Sequence, residues 1–176
     1  MSKLKNALKI KLFYVFAVLL FLGIPVYAAD IGDWGAFSIA YTTGGNINLS
    51  SSIVVGADIG GFSGDYLSIK GNNFAFSGND KHGFSFSSKT VSFENIVFSS
   101  FNAHWGGAIF ADNGSNISFS GNKIEFSSNF ATASDDDSAG AIFVGNTNGE
   151  WTTIGFNVNA DFIGNIATAN GGARPR

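Results

Sequence analysis

The stretch ISFSGNKIEFSSN, Ile117 to Asn129, restates LSIKGNNFAFSGN, Leu67 to Asn79, without a gap at an offset of fifty residues. In each copy apolar residues alternate in two pairs, Leu67/Ile69 then Phe74/Phe76 and Ile117/Phe119 then Ile124/Phe126, with a Gly-Asn turn between the pairs. Alternation with period two marks short strands buried on one face. Between the copies lies VSFENIVFSSFNA, with Val91/Phe93 and Ile96/Phe98, and beyond them TIGFNVNADFIGNIA, with Ile154/Phe156 and Phe162. Equivalent positions are therefore Ile69, Phe93, Phe119 and Phe156, which step by 24, 26 and 37 residues. A chain restates itself at such intervals when each layer buries its apolar face only against the next.

The expectation is an all-β fold, a right-handed single-stranded parallel β-helix of about four to five coils. Each coil has three strands, the third at Gly107 to Phe110 and again at Gly140 to Phe143. Stacked coils lie about 4.8 Å apart, so Phe76, Phe98, Phe126 and Phe162 should form an internal aromatic ladder. Asn79, Asn129 and Asn165 each follow such a Phe by three residues. They are expected at the next turn, where Asn tolerates the left-handed conformation and its amide bonds backbone or the stacked Asn of the next coil. Gly106 and Gly107 supply a corner with no Cβ to clash. The long step contains TASDDDSAGAIFVGNTNGE, read as a loop insertion.

An open coil end exposes unpaired backbone and apolar core, so a cap is required ahead of the repeats. Trp34, Phe37 and Tyr41 are spaced like one face of a short helix, which assigns the cap to Ile31–Tyr41, and Ile47 and Leu49 then point inward from a strand. Further upstream, Lys3, Lys5, Lys9 and Lys11 precede the apolar run Leu12 to Ile24, followed by Pro25 and Val26-Tyr27-Ala28. Basic, apolar and small-residue parts in that order describe a secretory signal peptide cleaved between Ala28 and Ala29. The expected organisation is a signal peptide over 1–28, the cap and first coil over 29–66, and β-helix repeats over 67–176, truncated at the carboxyl terminus.

The net charge of -3 becomes -7 once residues 1–28 leave, because four of ten Lys+Arg lie there and all thirteen Asp+Glu lie beyond. An acidic chain argues against nucleic-acid binding. There is no cysteine, so an exported product relies on buried surface and its hydrogen-bond ladder. Nineteen Phe favour strand over helix, and twenty-three Gly supply turns.

Phe-x-x-Asn recurs at Phe76–Asn79, Phe119–Asn122, Phe126–Asn129 and Phe162–Asn165, together with Gly-Gly-Ala-Ile at Gly106, Gly107, Ala108 and Ile109. A variant occurs at Ala139, Gly140, Ala141 and Ile142, and Gly171-Gly172-Ala173 breaks off at Arg174. The paired motifs resemble the repeats of the polymorphic outer membrane proteins, autotransporter-type surface proteins first recognised in chlamydiae. The resemblance covers about Leu67 to Ala173. It implies a β-helical passenger displayed on the outer membrane and used in adhesion, and the expectation is a secreted or surface-displayed, adhesin-like product that is non-enzymatic and takes no cofactor. The family's carboxyl-terminal membrane β-barrel has no counterpart in IATANGGARPR. Expected partners are surface molecules of a host or neighbouring cell, met through loops such as Ser134 to Gly149, and the outer membrane by analogy. Self-association through an open last coil is also expected.

Parallel β-helices also carry polysaccharide-cleaving enzymes of the pectin-lyase type, which need clustered carboxylates for Ca²⁺ and a base, or a spaced carboxylate pair. That alternative requires several of Asp65, Asp80, Glu94, Asp112 and Asp161 on one groove. His82 and His104, the two imidazoles, fit no metal or triad motif and read as exposed turn residues. Asp135-Asp136-Asp137 lacks the alternate spacing of a Ca²⁺ loop and reads as a solvated insertion. GADIGGFSG, Gly56 to Gly64, is followed by no helix and no Lys-Ser/Thr, and reads as a surface loop.

Overall fold

A computed structural model describes residues 29–133 and 138–168. Residues 1–28, which the sequence suggests form a signal peptide, the Asp135–Asp137 run and Gly171–Arg176 lie outside the described residues. The chain opens with β1 (Ala29–Ile31) and a helix, α1 (Trp34–Thr43). The first coil follows as β2 (Gly45–Leu49) and β3 (Ile53–Val54), the second as β4 (Tyr66–Lys70), β5 (Ala75–Ser77) and β6 (Phe84–Ser87). The third coil is β7 (Thr90–Ser99), β8 (Asn102–Ala103) and β9 (Ile109–Asp112). The fourth is β10 (Asn116–Ser127), β11 (Phe130–Ala131) and β12 (Ile142–Val144), and the fifth β13 (Thr153–Phe156), β14 (Ala160–Ile163) and β15 (Ile166–Ala167).

All the pairings are parallel, and their register follows the sequence repeat. Ile69 pairs with Phe93, Phe93 with Phe119 and Phe119 with Phe156. On the next face Phe76 pairs with Phe98, Phe98 with Phe126 and Phe126 with Phe162. The third face aligns Phe84, Ile109 and Ile142. A short three-stranded sheet, β8, β11 and β15, bridges the second and third faces.

The core is a pile of phenylalanine rings. Phe98 and Phe126 stack at 4.9 Å and 9°, Phe126 and Phe162 at 5.0 Å and 9°, and Phe119 and Phe156 at 4.6 Å and 11°. Rings of neighbouring stacks meet edge to face, Phe119 against Phe126 at 5.6 Å. Both arrangements suit the ring quadrupole, and each fully buried Phe contributes about 1.5 to 3 kcal/mol through transfer from water alone. Among the described residues the two ends of the stack differ. At one end Asp33 caps α1 by accepting from the Ala36 N–H at 2.9 Å. That helix lays Phe37 on Phe76 (4.7 Å) and Tyr41 on Phe62 (5.6 Å). At the other end Phe162 is 53% exposed and Phe156 39%, whereas their ladder partners Phe126 and Phe119 are fully buried.

Several expectations shift in detail. The cap is a strand plus a helix running to Thr43, and Ile31 belongs to β1. The third-face strands begin two residues later than expected, at Ile109 and Ile142, because Gly106–Ala108 and Ala139–Ala141 form the corner leading in. The second coil also has a third-face strand, β6, which the Gly-Ala-Ile-Phe pattern did not mark; Phe84 and Phe86 fill the core there. The loop containing Gly56 to Gly64 is irregular, yet it tucks Ile59 and Phe62 into the core.

Candidate functional site

Asn129, Asn165 and the Gly106–Ala108 and Ala139–Ala141 runs of the repeat motifs sit at the corner between the second and third faces. Asn129 is fully buried: its side-chain amide donates to the Phe98 carbonyl (3.0 Å) and to Asn165 Oδ1 (2.9 Å), while its own Oδ1 accepts from the Phe101 N–H (3.1 Å). Asn165 repeats the arrangement one coil on, donating to the Phe126 carbonyl (2.8 Å) and accepting from the Asn129 N–H (3.0 Å). Each amide thus satisfies backbone groups that the turn takes out of the strand ladder.

These asparagines do not supply the left-handed residue. Ser128 (φ 54°) and Gly164 (φ 62°) do, one position earlier, which frees the amides to point along the stack. Asn79 does adopt the left-handed region (φ 49°), but it is exposed and outside the amide ladder. In the third coil the corresponding layer is filled by buried Phe101, and a Cβ on Gly78 would strike that ring at 2.5 Å. Asn122 stands apart from the corner, exposed between the first and second faces, with its N–H donating to Asn95 Oδ1. Gly107 and Gly106 act through close approach: a Cβ on Gly107 would collide with the Gly140 carbonyl, and one on Gly106 with the Ile109 carbonyl. Ala108, Ile109 and Ala141 then enter the core, and Ile142 packs against it half-buried.

The same corner also forms a concavity. The Asn102 N–H donates to the Lys81 carbonyl (3.0 Å) and the Phe84 N–H to the Ala108 carbonyl (2.8 Å). Between these two bonds the second coil has only His82 and Gly83, whereas the third carries Ala103 to Gly107, and this surplus bulges outward with exposed His104 and Trp105. Below, the loop Asp58–Gly61 of the first coil rises on the other side. Between them opens a groove of about 430 Å³ with Phe84, Gly83 and Gly106 among its lining.

Its walls are fixed. Asp58 accepts from the His82 N–H at 2.9 Å, and its other carboxylate oxygen lies 3.8 Å from His82 Nδ1. Tyr41, its hydroxyl pKa pushed well above the ordinary range by burial, remains a donor and holds the Gly60 carbonyl at 2.8 Å. The fourth coil ties down the opposite wall, Ala133 N–H to the His104 carbonyl and Ala139 N–H to the Trp105 carbonyl. Trp105 packs against His104 (4.8 Å) and Phe110 (5.4 Å) and is still 41% exposed. Phe110 in turn stacks on Phe143 at 5.7 Å and 4°. Both histidines are exposed turn residues, as read from the sequence, and the fold brings them to one groove.

The carboxylates named for a catalytic alternative are spread around the coils. Asp65 precedes β4, Asp80 follows β5, Glu94 lies in β7 paired with Lys70 at 3.6 Å, Asp112 ends β9, and Asp161 lies in β14. Among the described residues no three His, Cys, Asp or Glu side chains gather as a metal site would require. Asp112 is buried and serves as an anchor. Burial pushes its carboxyl up, but the Thr147 hydroxyl, the Thr147 N–H (3.0 Å) and the Asn113 N–H (2.7 Å) donate to it and hold its pKa below the ordinary value. It thereby pins the loop after β12. Compared with known proteins, the chain matches no family model, no curated protein and no solved structure.

Proposed function

We propose that the chain is the β-helical passenger of an exported surface protein, adhesin-like and without catalytic activity of its own. In this reading the coils wind right-handed, as parallel crossover connections do in about 98% of cases. A signal peptide is removed between Ala28 and Ala29, and the product reaches the outer membrane, the cell surface or the medium. The observation that carries the reading is the shared corner: Phe-x-x-Asn at Phe126–Asn129 and Phe162–Asn165 fills equivalent places in successive coils, and Gly106–Ile109 aligns with Ala139–Ile142 beside it. That placement gives the motifs of the polymorphic outer membrane proteins a physical role here, which supports the resemblance. The dispersal of Asp65, Asp80, Glu94, Asp112 and Asp161 favours adhesion over polysaccharide cleavage, which needs such groups together.

Partners in this reading are surface molecules of a host or neighbouring cell. The exposed rings of the last described coil also suit self-association by strand addition. Expression of the whole chain in a Gram-negative host tests the reading. Mass spectrometry should find Ala29 as the new amino terminus in the exported fraction, and beads coated with that product should attach to cells. A product retained inside with residues 1–28 intact refutes export, and beads that attach no better than albumin-coated ones refute adhesion.

A further inference from the structure

From the groove between Asp58–Gly61 and His104–Trp105 we infer a binding site for a neutral oligosaccharide, held by stacking on Trp105 and by hydrogen bonds to Asp58, His82 and His104. The assignment deepens the adhesive reading and rests on it for its biological setting. A pyranose presents an apolar face of C–H groups and a rim of hydroxyls, so its site combines an exposed aromatic plane with a few fixed donors and acceptors. The groove supplies both.

Trp105 is the aromatic plane, exposed on one side and backed by His104 and Phe110. The Asp58 carboxylate is an acceptor, and each imidazole can donate from one nitrogen and accept at the other. The volume lies within the range of small-ligand sites, which are mostly apolar with a few convergent polar groups. Rigid walls favour binding further, because a site already held by the Tyr41, Ala133 and Ala139 hydrogen bonds loses little freedom when a ligand enters.

Charge selects among ligands. Among the described residues no lysine or arginine lines the groove, and the acid that does is Asp58. Uronate-bearing or sulfated chains would meet a carboxylate with no compensating cation, as would nucleic acid and acidic peptides.

The test is a titration of ¹⁵N-labelled protein with neutral tetrasaccharides (cello-, malto-, galacto- and chitotetraose) and with tetragalacturonate, following the Trp105 indole N–H and, in the wild type and every variant, the backbone amides of His82, Gly83 and Gly106 that line the groove. At least one neutral tetrasaccharide should shift these signals saturably at up to millimolar concentration, with tetragalacturonate silent. Trp105→Ala should weaken binding about tenfold or more, as the loss of an aromatic stacking surface does elsewhere. Asp58→Asn should weaken it by a smaller factor, and Trp151→Ala, at an exposed position outside the groove, should leave it unchanged. Trp105 is exposed, so its variant should keep the wild-type amide spectrum. An indole unmoved by every neutral sugar, or Trp105→Ala binding like wild type, overturns the assignment. So does equal binding of tetragalacturonate. Should coated beads attach to cells while no neutral sugar binds, the oligosaccharide assignment falls and the adhesive reading stands.

Discussion

Replacing Phe126 with alanine removes a ring from the middle of the stack. Phe126 is fully buried, with Phe98 and Phe162 on its two faces at 4.9 and 5.0 Å and Phe119 at its edge. Truncation of a buried Phe costs about 3 to 5 kcal/mol, part of it transfer from water and part the cavity that the neighbours cannot close. Stacked pairs add about 0.5 to 1.5 kcal/mol each beyond area, and two are lost here, so the value should fall in the upper half of that range. Phe162→Ala is the internal comparison. Its ring is half exposed, no closed cavity forms, and one stacked partner remains among the described residues, so its loss should be about 1 to 2 kcal/mol. Urea titrations of both variants, compared at equal slope, read the difference directly. A Phe126→Ala loss under about 1 kcal/mol, or a Phe162→Ala loss as large as that of Phe126→Ala, would refute the stacked-core reasoning.

Asn129→Ala strands the buried Phe98 carbonyl and Phe101 N–H, and should cost about 3 kcal/mol in the same assay; a loss under about 1 kcal/mol would mean that the amide ladder is incidental. Asp112 has a folded pKa below its unfolded one, so its contribution is fully present above an unfolded value of about 3.9 and is lost as pH falls through the folded value. Asp112→Asn should therefore cost about 1 to 2 kcal/mol at pH 7, with the gap to wild type closing below about pH 4; a gap independent of pH contradicts the assignment. Hydrogen exchange should find β13–β15 less protected than β7 and β10, with light scattering rising with concentration, whereas uniform protection in a monomer would refute self-association through that end.

The coil register was legible because it depends on local alternation: Ile69, Phe93, Phe119 and Phe156 pair as the sequence steps indicate, through a bulge between Ser120 and Ile124. The helix was legible from Trp34, Phe37 and Tyr41, the last two of which are buried. Strand β6 escaped because Gly83 stands where later coils have Ala108 and Ala141, so no Gly-Ala-Ile-Phe appears, although Phe84 and Phe86 alternate in plain view. Propensity favours Asn as the left-handed residue, which holds at Asn79 but not at Asn129 or Asn165. The amide is worth more pointing along the stack, which displaces the strained conformation onto Ser128. The groove had no sequence signal at all. It arises where a difference in turn length between the second and third coils meets the Asp58–Gly61 loop of the first, which brings Asp58, His82 and Trp105 together.

Between the second-face and third-face strands the sequence has six residues in the second coil (78–83), nine in the third (100–108) and fourteen in the fourth (128–141), while the strands on either side stay in register. Doubling a loop costs only about 0.6 kcal/mol of closure entropy, against about 3 to 5 kcal/mol for one lost core ring. Mutation therefore has unequal access to the two parts. Insertions between the anchored positions of this flank, at exposed residues such as His104 and Trp105, can redraw what the molecule touches at little thermodynamic cost, while Phe101, Gly106, Gly107 and Asn129 and the strands they join tolerate very little.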